Sequence, residues 1–151
     1  MPQQDPEMQA PPSDPLKNLV GYWLRRASSL EMANISNQLA QLDLRPTEAS
    51  VIVIIQANPG IRQSDIGRML DIRSANMTPL IARLDSRGLI QRKRKDGRSH
   101  GLRLTEDGAQ LAEQALAETN RHDREMMERV PESMRGAFVE ALQSIWRDDA
   151  G

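Results

Sequence analysis

Residues 63–105 read QSDIGRMLDIRSANMTPLIARLDSRGLIQRKRKDGRSHGLRLT, and the order of patterns inside this stretch decides the fold. Ile66, Met69 and Leu70 face inward at helical spacing, Asp71-Ile72-Arg73 makes a tight turn, and Met77, Leu80, Ile81 and Leu84 restart the same period. Two short helices joined by such a turn make a helix-turn-helix pattern. Gly88 ends the second helix, because glycine enters the left-handed C-terminal conformation without strain. Leu89 to Arg92 and His100 to Leu104 then alternate as two strands around Lys93 to Ser99, with Asp96-Gly97 as the hairpin signal at the tip. The strands form a wing beside the helix pair.

Outward from this stretch the chain is helical. Thr105 caps the next helix with its hydroxyl, and Glu106 and Asp107 complement the positive end of its dipole; the helix reaches about Val130 before Pro131. A last helix carries Met134, Phe138, Leu142, Ile145 and Trp146 on one face. Upstream, Arg45-Pro46-Thr47-Glu48 starts a helix whose Ala49–Ala57 portion is apolar enough to be buried, and Asn58-Pro59-Gly60 stops it. Asp14-Pro15 reads as an N-cap and first helical residue. From there Leu16, Leu19, Val20, Trp23, Leu24, Ala27 and Leu30 predict one buried stripe on a long first helix. Ile35, Leu39 and Leu42 continue it less regularly to about Leu42, with a kink expected near Asn34–Asn37. These terminal helices either close a monomeric core or pack against a second copy; two long amphipathic ends around a small winged module favour the dimer.

The near-neutral charge of 20 Lys+Arg against 21 Asp+Glu conceals two opposed blocks. Ile61 to Arg103 holds eleven basic and four acidic residues, a net +7, and the remainder stands at −8. A basic module in an acidic frame points to a surface that meets phosphate, with a solvated positive face as the plainer alternative. The 151 residues suit one compact domain. With no cysteine there is no disulfide framework, thiolate zinc cage, redox thiol or Cys nucleophile. The longest apolar stretch, Ala49 to Ile55, is broken by Ser50 and falls well short of the roughly 20 residues of a membrane helix. Met1 to Pro15 carries five prolines and no apolar signal core, so residues 1–14 read as a disordered arm and the protein as soluble and cytoplasmic. No Ser/His/Asp elbow, Walker loop or paired-carboxylate motif is present, so an enzyme is not expected.

The segment Asp96-Gly97-Arg98-Ser99-His100-Gly101-Leu102-Arg103-Leu104-Thr105, followed by Glu106-Asp107-Gly108, resembles the D-x-R-x5-L-T wing signature of the MarR family of bacterial winged helix-turn-helix regulators. Arg83-Leu84-Asp85-Ser86-Arg87-Gly88-Leu89-Ile90 resembles the exit of that family's recognition helix, and the likeness extends from about Leu16 to Trp146. It implies a mainly α fold with a small β-wing. A winged helix-turn-helix module at 46–105 is flanked by long dimerisation helices at 15–45 and 106–148. The implied function is that of a homodimeric repressor that binds a palindromic double-stranded DNA operator and is released by a small aromatic or anionic effector. A DNA-binding regulator with no small-molecule sensor, controlled by abundance or protein partners, is the second reading. A protein-interaction module with an incidental basic surface is the third.

By that resemblance Arg98 enters the minor groove, where a narrow A·T-rich groove favours guanidinium, and Asp96 steers it through an ion pair. Lys93, Arg94 and Lys95 touch phosphates. Ser74, Ala75, Asn76, Thr78 and Pro79 occupy the half of the recognition helix that enters the major groove. There Asn76 can pair with adenine, and Ala75 and Pro79 can meet thymine methyls. Ser74 or Asn76 can instead cap the helix, and Pro79 means a kinked helix or a later start. Arg73, Arg83 and Arg87 are phosphate candidates, with Asp85 or Asp71 as competing partners for Arg83. The effector cleft draws on Tyr22, Trp23, Arg25, Arg26, Ser50 and Ile54: an arginine clamps a carboxylate and an aromatic ring stacks. Against this, Trp23 in an apolar stripe reads as core, and arginines on a long helix read as surface or dimer ion pairs. His122, with Glu118 and Glu125 on its helix face, is better explained as a solvated face than as a metal site, and no metal or cofactor is expected.

Overall fold

The structure is a computed structural model that describes residues 13–96 and 99–146; side chains of residues 94–100 are outside the description. Residues 1–12, most of the predicted arm, also lie outside the described residues. Among the described residues six α-helices and a hairpin follow in the order α1 Val20–Ala40, α2 Pro46–Ala57, α3 Gln63–Met69, α4 Ser74–Ser86, β1 Ile90–Asp96, β2 Ser99–Leu104, α5 Glu106–Glu128 and α6 Arg135–Trp146.

The core forms where α2 packs on α5, α1 and β2, and where α4 packs on α3 and β1. Val51, Ile52 and Ile55 of α2 are fully buried with Leu39 of α1, Ile66 of α3, Met77, Ile81 and Leu84 of α4, Leu102 of β2, and Ala112 and Ala115 of α5. Each large aliphatic side chain withdrawn from water contributes about 1.5–3 kcal/mol, so this is what holds the module together. The hairpin pairs Ile90 with Leu104 and Arg92 with Leu102, and its register shifts between Arg94 and Asp96. An isolated bridge from Ile61 to Leu102 ties β2 to the α2–α3 connection.

Helix ends follow the expected chemistry. At the end of α4 Gly88 takes φ 69°, its N–H donates to the Asp85 carbonyl, and Leu89 N–H donates to the Leu84 carbonyl. This paired closure satisfies carbonyls that the helix leaves open. Thr105 accepts from Gly108 N–H at 3.0 Å and donates to the Gly88 carbonyl at 2.7 Å, lacing the start of α5 to the end of α4.

Three expectations are corrected. The first helix is not continuous from Pro15: Pro15–Asn18 forms a 3-10 turn capped by Asp14, and Leu19 is extended before α1 begins. The Trp23 indole N–H takes the Lys17 carbonyl at 2.8 Å, a group that a continuous helix would bond to its own backbone. Second, the regular stripe of Leu16, Leu19, Val20, Trp23, Leu24 and Leu30 is exposed, while the less regular Ile35 and Leu39 make the core contacts. In α6 no residue is buried, with Ile145 and Trp146 about two-thirds or more exposed. The first part of α1 and the whole of α6 therefore do not close a monomeric core, whereas the end of α1 and α5 pack into it. Third, Met69 is 58% exposed rather than inward, because α3 presents only Ile66 and Gly67 to full burial.

Candidate nucleic-acid interface

Asp71 makes the turn between α3 and α4. Its φ of 51° is left-handed, and Ile72 N–H reaches back to the Gly67 carbonyl at 2.8 Å. This sets α4 across α3 with open space on both sides. A cleft of about 540 Å³ is lined by Gln63, Ser64, Gly67, Arg68, Asp71, Arg73, Ser74 and Met77. A second of similar volume is lined by Arg45, Thr47, Glu48, Asn76, Pro79, Leu80 and Arg83. Between them Ser74, Ala75, Asn76, Thr78 and Pro79 form an exposed ridge. Arg62, Arg73, Arg92 and Lys93 are exposed as well; Arg68 is exposed but paired with Asp65.

Neither Ser74 nor Asn76 caps α4: the cap position belongs to Arg73, which makes no side-chain cap bond. The Asn76 backbone N–H donates to the Arg73 carbonyl at 2.9 Å, and among the described residues no hydrogen bond engages its side-chain carboxamide, whose oxygen and nitrogen are exposed for pairing. The helix runs through Pro79 from Ser74 to Ser86, so the proline does not delay its start. Proline has no N–H for the Ala75 carbonyl one turn back, which leaves that carbonyl on the exposed ridge.

Arg83 and Arg87 are placed differently from the phosphate expectation. Arg83 Nε lies 2.8 Å from Glu48 Oε1, without the alignment of a hydrogen bond, and its Nη2 lies 3.5 Å from Asp43. The partners are thus Glu48 and Asp43, not Asp85 or Asp71. Glu48 is 2% exposed and also accepts Arg45 N–H at 2.9 Å, so Arg83 balances a carboxylate that burial would otherwise penalise. Arg87 donates to the backbone carbonyls of Asp43 at 2.6 Å and Leu42 at 3.5 Å. Both arginines bolt α4 to the α1–α2 connection. Glu48, three residues after Arg45 with a proline between, carried a capping signal in sequence; Asp43 carried none. The expectations for the side chains of Arg94, Lys95, Asp96 and Arg98 fall outside the described residues.

The family model for MarR matches residues 44–100, the α2-to-wing segment just described. The solved structure of the transcriptional repressor CouR bound to p-coumaroyl-CoA is 31% identical, with a TM-score of 0.81 over 92% of this chain and 99% of that one. This chain belongs to the MarR family. A structure of CouR bound to a 23-mer DNA duplex is 32% identical, with a TM-score of 0.80 over 87% of this chain and 95% of that one. The organic hydroperoxide resistance transcriptional regulator of Bacillus subtilis is 33% identical over 97 residues, 62% of this chain and 66% of that one. The chain is a MarR-family transcriptional regulator, and its relatives are regulators rather than enzymes. Among the described residues no helix is long and apolar enough to cross a membrane.

In this MarR-family chain the predicted effector residues separate into two places. Tyr22, Arg25 and Arg26 line an open depression of about 400 Å³ together with Ser29. Tyr22 Oη donates to Asp14 at 3.1 Å and accepts from Arg26 at 3.3 Å. The Arg26 guanidinium lies 5.5 Å from the Tyr22 ring centre, and Trp23 meets Tyr22 edge to face at 5.3 Å. Trp23 is half exposed rather than core. Ser50 and Ile54 lie on α2 outside that depression; the Ser50 hydroxyl is taken by the Pro46 carbonyl and Ile54 packs against the core. His122 is not solvated: its Nε2 lies 3.1 Å from Glu31 Oε2, and Arg129 reaches the other oxygen of Glu31 at 2.8 Å. Glu118 and Glu125 face Arg121 instead, whose guanidinium the Glu118 carboxylate holds above its ordinary pKa.

Proposed function

We propose that this chain acts as a homodimeric repressor that reads a palindromic operator through α4 and the wing. The observation that carries it is the exposed ridge of α4, set between two clefts and flanked by exposed cations, which suits insertion into a major groove. Residues 46–105 form the reading module, in which Arg73 and Lys93 to Lys95 meet phosphate and Arg98 enters the minor groove beside Asp96. Residues 15–45 and 106–148 form the dimerisation region. The exposed apolar faces of α1 and α6 support this, because an isolated protomer would leave Leu24, Leu30, Phe138, Ile145 and Trp146 in water. CouR, bound to a DNA duplex in one structure and p-coumaroyl-CoA in another, supports both halves of the reading. The effector is an aromatic or anionic molecule held near Arg25, Arg26 and Tyr22, two cations beside a ring.

The test is selection of duplexes from a random pool by the full chain, followed by titration of the enriched duplex against salt. Salt-dependent binding of a palindrome is expected, with a slope of about 0.9 per phosphate neutralised; no enrichment would sink the proposal. Thermal-shift measurements with aromatic carboxylates and aromatic acyl-CoA thioesters then separate a ligand-released repressor from a regulator with no small-molecule sensor.

A further inference from the structure

On the exposed ridge of α4 the polar atom of Thr78 is already engaged twice within the chain. Its Oγ1 donates to the Ser74 carbonyl at 3.2 Å, one turn back. It accepts from Gln63 Nε2 at 3.4 Å, a side chain on the first residue of α3. A hydroxyl carries one proton, and here that proton goes to Ser74. In a helix threonine divides between two rotamers, since Oγ1 can find a backbone carbonyl in either; the amide of Gln63 favours the one seen here. With Oγ1 drawn back against the helix and toward α3, the γ-methyl is the part of Thr78 left to meet a partner. Its neighbours on the ridge, Ala75 and Pro79, are apolar as well.

We infer that Thr78 reads thymine through its methyl group, not a base edge through its hydroxyl, and that Gln63 is the positioning residue holding that rotamer from the neighbouring helix. In the major groove only thymine offers a methyl group at C5, so an apolar patch there distinguishes it from the other bases. The inference rests on the reading that α4 enters the major groove.

The experiment uses the full chain and the duplex it enriches from the random pool, remade with deoxyuridine in place of each thymidine in turn. The readout is the ratio of affinities for the two duplexes. For the wild type one thymine per half-site is expected to show a ratio of about four, the worth of one buried methyl group. Thr78→Val, which keeps a methyl and removes the hydroxyl, retains the ratio; Thr78→Ser brings it close to one. Gln63→Ala lowers it, because the side chain that holds Oγ1 in this rotamer from α3 is gone, while thermal melting reports that the fold is kept. A Thr78→Ser protein that keeps the ratio, or a Thr78→Val protein that loses it, overturns the role of the methyl. An unchanged ratio in Gln63→Ala overturns the positioning role. Enrichment of a duplex in which no thymine shows a preference over deoxyuridine overturns this inference alone. Failure to enrich any duplex overturns the major-groove reading, and this inference with it.

Discussion

Asp43 and Asp71 hold φ near 50°, a left-handed backbone that costs an L-residue free energy, and each ends a helix. Asp71→Gly is therefore expected to raise stability by about 1 kcal/mol, read as a higher urea midpoint. Gly108 sits at the opposite extreme, since a Cβ there would overlap the Leu89 carbonyl oxygen. Gly108→Ala should cost about 2–3 kcal/mol and lower the melting temperature, unlike Gly136→Ala, where a Cβ meets nothing nearby. Glu48 shows a third kind of sensitivity. Removing its carboxylate leaves Arg83 with the more distant Asp43 and the Arg45 N–H open, so Glu48→Ala should lose about 2–3 kcal/mol in the same unfolding measurement. That figure lies below the usual cost of breaking a buried pair because Arg83 keeps partial access to water.

At the scale of elements, α4 has two differently built halves. Its first half presents an open ridge, and its second half is anchored through Arg83 and Arg87 to the connection that follows α1. A salt titration separates these roles. Lys93→Ala, on the exposed face of β1, should reduce the salt slope of DNA binding by about 0.9, the release expected from one phosphate contact. Arg87→Ala should lower the unfolding midpoint and leave the slope as it is, because its guanidinium is spent on the Leu42 and Asp43 carbonyls. A slope lowered by Arg87→Ala would return that residue to the phosphate set.

For the whole molecule, the decisive feature is that apolar surface gathers at both chain ends. Replacing Ile145 with Asp is expected to shift sedimentation from dimer to monomer while the protomer stays folded, since α6 contributes no buried residue to the core. Helix spacing, the Gly88 stop, the Thr105 cap and the winged order were legible in sequence because each depends on residues within one or two turns of one another. The open ridge of α4 was legible too, as the complement of Met77, Ile81 and Leu84. Other features depend on residues far apart in the chain: Arg87 on Asp43, 44 positions away, and Arg129 on Glu31, 98 away. Periodicity defines a helix face without saying what covers it, so the regular stripe of α1 read as buried although the protomer leaves it open. Sequence alone thus determined the elements, their order and the charge of the reading module, through local rules of spacing and capping. Tertiary structure alone decided which arginines are engaged within the chain, which apolar faces the protomer leaves exposed, and where the Thr78 hydroxyl points, because each is settled by groups that only folding brings together.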